Sequence, residues 1–450
     1  MFRKFKRPNL VRVNLKRLRG NKALIGYLVN SSWMISEYAL KIIAALFVSI
    51  YVARYLGPER FGVISYALAV VAVFMVVSRL GMESILVRDL ARHSESRESY
   101  LGTAFWLMLI AALLSNFCLA LMTYFFEKDS EIQLYIWIIS IGMIFQSFLA
   151  IDYNFQSQVK AKYSSLAKSS ALALGSVVKI SLVVVQADIF WFAAAYALDQ
   201  VIIAILLSLM HVRLGQVRFL LNFKAYLVKP LLRSAWPMVL SGVAAVLYMR
   251  IDQLMIKNML GAHDLGLYSA AAKIYEGWVI VPYVISISLL PAIVKLKAHS
   301  AYRYEDGMAK LFALVFWPGI GVAIIISIFG DSVVLLTFGS EYLGATNALI
   351  ISMWAVAFTG LGAVTSRYLT VEGLETKIAL RTLIALLINV ILNYFFIPIY
   401  GMEGAAAATL ITILIANYLI NYTDSSLKSL VRICNNAITL NFLFKEMPKS

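Results

Sequence analysis

Long apolar runs, each about as long as a membrane-spanning helix, follow one another along almost the whole chain. A helix needs about 20 mostly apolar residues to cross the hydrocarbon layer of a bilayer. Breaking the runs at polar residues and at Gly/Pro clusters gives twelve segments of this kind. The pattern predicts an all-α polytopic membrane protein with spans near 28–54, 61–82, 101–126, 132–151, 164–185, 189–212, 234–260, 266–294, 309–330, 345–366, 378–398 and 402–423.

The composition agrees with this interpretation. Of the 450 residues, 61% are hydrophobic and only 14% are charged, and the mean hydropathy is +0.80. A soluble globular chain has roughly 45–50% apolar and about 25% charged residues. The apolar excess therefore excludes an arrangement of soluble domains, and it also excludes a disordered chain. Only two cysteines are present, so a secreted disulfide scaffold is excluded as well.

The orientation of the chain in the membrane explains its net charge of +16. When the basic residues are assigned to the predicted loops, 31 of the 40 fall on the side of the two termini, four on the opposite side and five within spans. Cytoplasmic loops of membrane proteins carry this excess of Lys and Arg. We therefore expect both termini to face the cytoplasm, and nucleic acid is not needed as a partner to explain the charge.

An internal repeat divides the chain into two halves. The pattern Leu-Gly-x4-Gly-x2-Ser begins at Leu56 after the first span and recurs at Leu260 after the seventh, at an offset of 204 residues. Six spans per half make the two halves parallel, about an axis along the membrane normal. We expect a basic cytoplasmic N-terminal segment, an N-lobe, a cytoplasmic linker, a C-lobe and a cytoplasmic tail, at 1–27, 28–212, 213–233, 234–423 and 424–450.

The motifs of soluble catalytic chemistry are absent from the sequence. There is no Gly-x4-Gly-Lys-Ser/Thr loop for ATP phosphates, no His-Glu-x2-His zinc motif and no Gly-x-Ser-x-Gly nucleophile elbow. We expect no catalytic residues, no cofactor and no metal site. An integral-membrane transferase stays open at this point, because such an enzyme can build its site from carboxylates within the membrane.

Ionisable residues lie inside several predicted spans. Each charge at bilayer depth costs at least about 2.5 kcal/mol, so each is a candidate for a functional site. They lie mainly on the leading helices of the two halves, which predicts a slightly positive cavity between them. Glu37 is expected near mid-membrane, and Lys168 is expected to snorkel to the interface. The full set is Glu37, Lys41, Lys168, Lys179, Asp199, Arg250, Asp252, Lys273 and Glu276.

The charge types suggest two tasks. Arginine offers a fork and lysine a point charge for a phosphate or pyrophosphate, so Lys41, Lys179, Arg250 and Lys273 are predicted to bind an anionic substrate. Buried carboxylates can take up and release a coupling ion, which is the role predicted for Glu37, Asp199, Asp252 and Glu276. The alternative is neutralisation within one helix, through the pairs Glu37–Lys41 and Lys273–Glu276.

Several short motifs together resemble one family of transporters. They include Tyr55-Leu-Gly-Pro-Glu-Arg-Phe-Gly62 and Leu80-Gly-Met-Glu-Ser-Ile-Leu-Val-Arg88 in the first half. The second half contributes Ile251-Asp252-Gln-Leu-Met-Ile256, Leu265-Gly-Leu-Tyr-Ser-Ala-Ala271 and Phe338-Gly-Ser-Glu-Tyr342. In their order and spacing these resemble the polysaccharide (O-antigen type, Wzx-like) flippases of the multidrug/oligosaccharidyl-lipid/polysaccharide exporter superfamily. Arg79 departs from the family pattern, where an acidic residue is expected.

The resemblance implies two six-helix lobes around a central cavity that opens alternately to each side of the cell (inner) membrane. The implied substrate is an undecaprenyl-pyrophosphate-linked oligosaccharide, such as an O-antigen repeat unit for lipopolysaccharide, whose lipid tail stays in the membrane lipid. Coupling to an ion gradient and contacts with other polysaccharide assembly proteins are expected. Two alternatives stay open: a cation-coupled drug or small-solute exporter of the same superfamily, and an integral-membrane polysaccharide polymerase or ligase.

Overall fold

The computed structural model describes residues 22–214, 219–297 and 300–441, and within them all regular secondary structure is helical. Most of the predicted N-terminal segment (residues 1–21), part of the linker (215–218) and the end of the tail (442–450) lie outside the described residues. In a bilayer a helix satisfies every backbone polar group internally, so apolar runs of this length fold as helices.

The first half contains seven of the described α-helices. Helices α1 and α3 are the longest of these, and α2 is short and amphipathic. Helices α4 and α5 are joined by a 3₁₀ turn at Ile144–Phe148. The bounds are α1 Lys22–Ser78, α2 Met82–Arg92, α3 Arg97–Phe126, α4 Ser130–Ile141, α5 Leu149–Ser157, α6 Ala161–Val184 and α7 Ile189–Arg213.

The second half contains six of the described α-helices. A 3₁₀ turn at Ser340–Ala345 precedes the fourth of them, and two more at Leu419–Thr423 and Ser425–Leu427 precede the last. The bounds are α8 Ala225–Leu260, α9 Ala262–Lys297, α10 Ala301–Thr337, α11 Thr346–Val371, α12 Glu375–Asn417 and α13 Lys428–Ile438.

Two of the long helices contain a glycine with a non-helical backbone. Gly57 in α1 has φ 71°, and Gly401 in α12 has φ 61°. A glycine adopts this left-handed region without steric penalty, so two helices meet at each position. At Gly401 the chain folds back. The close approach of the two arms shows this, since a Cβ at Gly404 would lie 2.3 Å from the carbonyl oxygen of Phe396, eight residues earlier.

Ten helical stretches of the described residues are long and apolar enough to cross a membrane, which makes the chain a multi-pass membrane protein. Two of these stretches, Ser36–Arg92 and Glu375–Thr423, contain the glycines at 57 and 401. Dividing both at the glycine accounts for the difference from the twelve spans predicted above. The count of twelve stays a prediction, because length and hydropathy alone give ten.

The apolar core joins the two halves mainly at one end, and at the other end only the start of α8 packs into the core of the first half. We call the end with the turns at Gly57 and Gly261 the turn end, which the charge distribution predicts to be outer, and the opposite end the basic end. One core cluster at the turn end contains buried residues of both halves, such as Phe61 and Tyr342. At the basic end the core is divided into two clusters, which extend from Met82 to Ala235 and from Ile293 to Ala437.

The two copies of the repeated glycine motif pack against each other at the turn end. A Cβ at Gly62 would lie 1.8 Å from the carbonyl oxygen of Ala262, and a Cβ at Gly266 would lie 1.8 Å from that of Pro58. The offset of 204 residues maps Pro58 onto Ala262 and Gly62 onto Gly266, so the two contacts are reciprocal. Reciprocal contacts are what a two-fold axis produces, which supports the parallel repeat.

We expect Gly62→Ala to force the two halves apart at the turn end. The added methyl group would overlap backbone atoms of Ala262, which cannot move aside as a flexible side chain could. The cost is about 2–4 kcal/mol in the free energy of unfolding. Thermal unfolding of the purified protein measures it. Gly321→Ala is the matched control, since nothing lies within 4 Å of a Cβ at that position. Equal melting temperatures for the two variants would contradict the close contact.

Helices occupy parts of the predicted linker and of the predicted tail. The linker was predicted to extend to residue 233, but α8 begins at Ala225 and packs Leu227 and Leu231 into the first-half core. The predicted tail contains α13, which buries Leu430 and Ile433 against the second-half core. Both segments are amphipathic enough to form a helix once an apolar surface is available, which a hydropathy window does not detect.

The connection before α13 is held to the start of α12 by an ion pair. Lys377 contacts the carboxylate of Asp424, and the hydroxyl and backbone amide of Ser426 donate to the same carboxylate at 2.7 and 3.0 Å. The Lys377 and Ser426 hydrogen bonds lower the pKa of Asp424 to about 2. The carboxylate is therefore charged at neutral pH and fixes the tail against α12.

Candidate functional site

A cavity of about 480 Å³ lies within the second half and against one face of α1. Its walls come from α8, α9, α11 and α12, with Tyr38, Ala45 and Leu46 of α1 closing one side. Four of the eight predicted site residues line it, namely Arg250, Asp252, Lys273 and Glu276. The cavity reaches toward the basic end, where Leu369 and Ile378 are part of its wall.

Arg250, Lys273 and Glu276 form one cluster in this cavity. The Arg250 Nη1 lies 3.0 Å from Glu276 Oε1, and the Lys273 Nζ lies 3.2 Å from Glu276 Oε2. The three side chains are 25%, 30% and 33% exposed, so water reaches them at this depth. The Lys273–Glu276 pair predicted as a local neutralisation is confirmed. Because one carboxylate is shared by two cations, the cluster keeps a net positive charge that suits an anionic ligand.

Asp252 is in a different environment. It is 9% exposed, accepts a hydrogen bond from the Tyr268 hydroxyl, and accepts a second from the backbone N–H of Gln253 at 2.8 Å. It forms no ion pair in the part of the chain that the structure describes. A buried carboxylate without a cationic partner is costly to keep charged. Asp252 is therefore the carboxylate of the cavity that gains most from a bound proton or cation.

A chain of buried polar side chains continues from Asp252 into α12. The Tyr268 hydroxyl is also within hydrogen-bonding reach of Thr409. The Asn389 amide donates to Thr409 Oγ1 at 3.3 Å, and the Asn393 amide donates to Asn389 Oδ1 at 3.0 Å. The carbonyl oxygen of Asn393 is buried without a hydrogen-bond donor among the described residues. The polar side chains thus extend from Asp252 through Tyr268 and Thr409 into α12.

Arg381 lines the cavity but is not among the candidate site residues chosen from the sequence. Its guanidinium lines the cavity toward the basic end and donates to Asn421 Oδ1 at 2.5 Å. Residue 381 lies within the predicted span 378–398, so its position inside a span could have identified it as a candidate site residue. The lining also contains five hydroxyl side chains, those of Ser352, Thr359, Thr365, Ser366 and Thr382.

Tyrosines form much of the remaining wall. Tyr38, Tyr248, Tyr268 and Tyr275 all line the cavity, and the Tyr275 hydroxyl is 2.9 Å from Thr359 Oγ1. A tyrosine presents an apolar ring face together with a polar group at its tip. This combination matches a sugar ring, which also has apolar faces and polar edges.

Lys179 and Asp199 were predicted to have separate roles, but they form an ion pair with each other between α6 and α7. The Lys179 ammonium also lies 4.7 Å from the centre of the Tyr196 ring. The space for the Asp199 carboxylate exists because residue 175 is glycine, where a Cβ would lie 2.0 Å from Asp199 Oδ1. This pair lies in the first half, away from the residues that line the cavity.

Glu37 does not pair with Lys41, so the predicted local neutralisation within α1 is wrong. Its carboxylate is 2.9 Å from the Nζ of Lys168 on α6. Glu37 is 20 residues before Gly57, about 30 Å along the helix axis, so it lies toward the basic end and not at mid-membrane. Lys168 does not extend freely to the interface either, because it is bound between Glu37 and Asp152.

Lys41 forms no ion pair among residues 22–214, 219–297 and 300–441, unlike Lys168, Lys179, Arg250 and Lys273. It is exposed, and it lies three residues after Tyr38 and four before Ala45, on the face of α1 that borders the cavity. The cations Arg79 and Lys168 and the carboxylate of Glu37 all act on its charge, the carboxylate in the opposite direction to the two cations. Arg79 itself donates to Gln146 Oε1 at 2.7 Å. These cations make the first-half side of the cavity positive.

The cavity is sealed at the turn end by contacts between the halves. The Nζ of Lys257 lies 2.7 Å from Glu127 Oε2, and it is 4.6 Å from the centre of the Tyr66 ring. The Tyr342 hydroxyl donates to the carbonyl oxygen of Ala53 at 2.8 Å. Lys257 and Glu127 are only 14% and 9% exposed. A buried ion pair and a buried tyrosine therefore close this end.

Comparisons with known proteins agree on the family and the fold. Residues 27–297 match the family described as polysaccharide biosynthesis protein. The chain is 23% identical over 412 residues to the "Putative O-antigen transporter" of Shigella flexneri, covering 87% of this chain and 96% of that one. It is 22% identical over 395 residues to the "Probable low-salt glycan biosynthesis flippase Agl15" of Haloferax volcanii, covering 83% and 79%.

A solved structure shows the same fold. The lipid II flippase MurJ, in an inward closed conformation, superposes with a TM-score of 0.67 at 16% sequence identity, over 94% of each chain. At this identity the similarity concerns the fold. The predicted class, an all-α polytopic membrane transporter fold, is confirmed, and so is the resemblance stated from the motifs.

Proposed function

The chain belongs to the polysaccharide biosynthesis protein family, and we propose that it is a flippase that carries an undecaprenyl-pyrophosphate-linked oligosaccharide across the cytoplasmic membrane by alternating access. It is a transporter and not an enzyme, as the relatives named transporter and flippase support. The observation that carries the proposal is the partly exposed cluster of Arg250, Lys273 and Glu276 in a tyrosine-lined cavity sealed at one end.

The pyrophosphate is the group that such a cavity would hold. Arg250 supplies a planar fork for it and Lys273 a point charge, while Lys41 faces them from the first half. The sugars would extend along the hydroxyl-lined wall toward Arg381. The lipid tail would stay in the bilayer and leave the cavity beside α1. At this boundary α1 contacts α9, and a Cβ at Gly277 of α9 would lie 3.2 Å from the Leu46 side chain of α1.

Lys179 and Asp199 are not included in the proposed site. They neutralise each other between α6 and α7, so their charges are not available to a substrate in the cavity. Glu37 is neutralised in the same way by Lys168. The proposed ligand set is therefore smaller than the set predicted from the sequence. Arg250, Lys273 and Lys41 would bind the substrate, Asp252 would bind a coupling ion, and Glu276 would hold Arg250 and Lys273 in place.

The charge of the cavity favours a lipid-linked anion over a cationic drug. Three cations, Arg250, Lys273 and Arg381, line it together with two carboxylates, Asp252 and Glu276. A drug exporter for organic cations would need the opposite balance. A polymerase or ligase gains no support from the cavity, because its two carboxylates are held by cations or hydrogen bonds and face no activated nucleophile.

We place the protein in the cytoplasmic (inner) membrane with both termini in the cytoplasm. Reporter fusions after Asp129 and within 331–344 should then read as outer, and fusions after Arg97 and Tyr302 as cytoplasmic. Labelling of 83–100 or 295–310 from outside would reverse the orientation and, with it, the assignment of the turn end as outer.

Flipping itself is tested with the purified protein in proteoliposomes. A short undecaprenyl-pyrophosphate-linked oligosaccharide is placed in both leaflets, and its protection from a membrane-impermeant glycosidase is followed over time. The protein should make the inner-leaflet pool accessible, whereas empty liposomes should not. A gene deletion should cause the same lipid-linked glycan to accumulate on the cytoplasmic leaflet. If the glycan accumulates in the outer leaflet, the protein acts after translocation and the proposal is wrong.

A further inference from the structure

Three side chains from three different helices meet in the first half, outside the cavity. The Lys168 Nζ of α6 lies 2.9 Å from Glu37 Oε1 of α1 and 3.1 Å from Asp152 Oδ2 of α5. The side chains of Glu37 and Asp152 are 15% and 6% exposed, and that of Lys168 is 24% exposed. One ammonium group therefore bridges two carboxylates that are largely withdrawn from water.

The other carboxylate oxygens are held by neutral donors. The Ser165 hydroxyl donates to Glu37 Oε2 at 2.9 Å. The Ser164 hydroxyl and the Gln156 amide both donate to Asp152 Oδ1, the latter at 3.2 Å. The two remaining oxygens, Glu37 Oε1 and Asp152 Oδ2, face Lys168. Two carboxylate oxygens thus converge on one point, and the lysine nitrogen occupies that point.

A simple ion pair would not need this arrangement. Lys179 in the same helix is satisfied by one carboxylate, that of Asp199. Two carboxylates brought together in a low dielectric repel each other, and the arrangement persists only with a cation between them. The nearby cations Lys41 and Arg79 form no ion pair with either carboxylate in the described part of the chain, so Lys168 alone bridges them.

We propose that Lys168 is a tethered cation. Its ammonium group occupies the position between Glu37 and Asp152 that a free monovalent cation would otherwise take. Helices α1, α5 and α6 are therefore held together without an ion from solution. Asp252 in the second half has no such lysine, so the two halves differ: the first carries its own cation, and the second is open to one.

The test removes the amine and supplies a free cation. The melting temperature of purified Lys168→Met is measured in sodium, potassium or choline chloride at equal ionic strength. Sodium or potassium should raise it by at least about 3 °C more than in the wild type, because a ligand that binds only the folded state stabilises it. Choline is too large to enter and serves as the reference cation.

Two variants control for the site. Lys179→Met removes a lysine with one carboxylate partner and should show no added response to sodium or potassium. Asp152→Asn combined with Lys168→Met removes one of the two converging charges and should abolish the response. An unchanged response in Lys168→Met relative to the wild type, or an equal one in Lys179→Met, would overturn the proposal.

A folding failure is also informative. If Lys168→Met and Lys168→Gln cannot be recovered even in high salt, a free cation does not replace the ammonium and the proposal is wrong. This conclusion holds whether or not the charge-free variant Glu37→Gln/Asp152→Asn/Lys168→Met is recovered. The assay contains no glycan, so its failure leaves the proposed flippase function untouched.

Discussion

Arg250→Ala is expected to abolish flipping while the protein still inserts and folds. Arg250 is 25% exposed in the cavity and shares Glu276 with Lys273, so its removal takes the planar fork from the proposed pyrophosphate site. Loss of one partner of a charge pair that is buried in the complex with its ligand costs about 2–5 kcal/mol of binding. At about 1.4 kcal/mol per tenfold, the dissociation constant for the lipid-linked substrate should rise by about 30-fold or more.

Arg250→Lys should restore binding only in part, because a point charge replaces two parallel hydrogen bonds. Binding of a short-chain pyrophosphate-linked glycan to the protein in nanodiscs measures the dissociation constant, and surface polysaccharide in a deletion strain reports flipping. Normal surface polysaccharide from Arg250→Ala at normal protein level would remove Arg250 from the site.

Lys179→Met is the matched control for Arg250→Ala. Lys179 is also an intramembrane cation in an ion pair, but its partner Asp199 and the Tyr196 ring hold it in the first half, away from the cavity. We expect this variant to lose stability and to bind the substrate with an unchanged dissociation constant. A 30-fold weaker binding here would favour the role predicted from the sequence over the ion pair seen in the structure.

The spans and the turn end follow from local sequence patterns. An apolar run of about 20 residues has one way to satisfy its backbone in a bilayer, so hydropathy is sufficient to predict it. Gly57 and Gly261 were recognisable through the repeated motif, and two other glycines of that motif, Gly62 and Gly266, pack reciprocally against the other copy, as a parallel repeat requires. The early start of α8 at Ala225 was missed because its apolar face is narrow and depends on a core built elsewhere in the chain.

Charge pairing could not be read from the sequence in the same way. Spacing within one helix predicts pairs between residues three or four positions apart. This rule correctly paired Lys273 with Glu276, which are three positions apart. It also paired Glu37 with Lys41, although the true partner, Lys168, is 131 residues away on α6. Which of two cations reaches a carboxylate depends on how helices rotate against each other, and hydropathy carries little information on rotation when a span is apolar on most faces.

Asp252→Asn is expected to retain substrate binding but to uncouple flipping from an ion gradient. Asp252 is buried, accepts hydrogen bonds from Tyr268 and the Gln253 amide, and forms no ion pair within the described residues. A proton or a monovalent cation would balance its charge, and the hydroxyl groups of Tyr268 and Thr409 line the same cavity. Asparagine keeps the shape and one oxygen but removes the charge that makes ion binding favourable.

A coupling ion drives the cycle only if it binds one state of the transporter better than the other. The wild-type protein in proteoliposomes should therefore flip faster under an imposed pH gradient or sodium gradient, and the gradient that acts identifies the ion. Asp252→Asn should flip at one rate with or without that gradient. Asp199→Asn is the control, because Asp199 is neutralised by Lys179 in the first half, and it should keep the response to the gradient.

The competing explanation is that Asp252 serves only to balance the positive cavity, and two results separate the explanations. If Asp252→Asn loses substrate binding together with transport, the carboxylate organises Arg250 and its neighbours and does not carry the ion. Glu276→Gln should behave in that way, because Glu276 holds both Arg250 and Lys273 in place. If the wild-type protein flips at the same rate with and without both gradients, ion coupling is wrong and the substrate gradient alone drives transport.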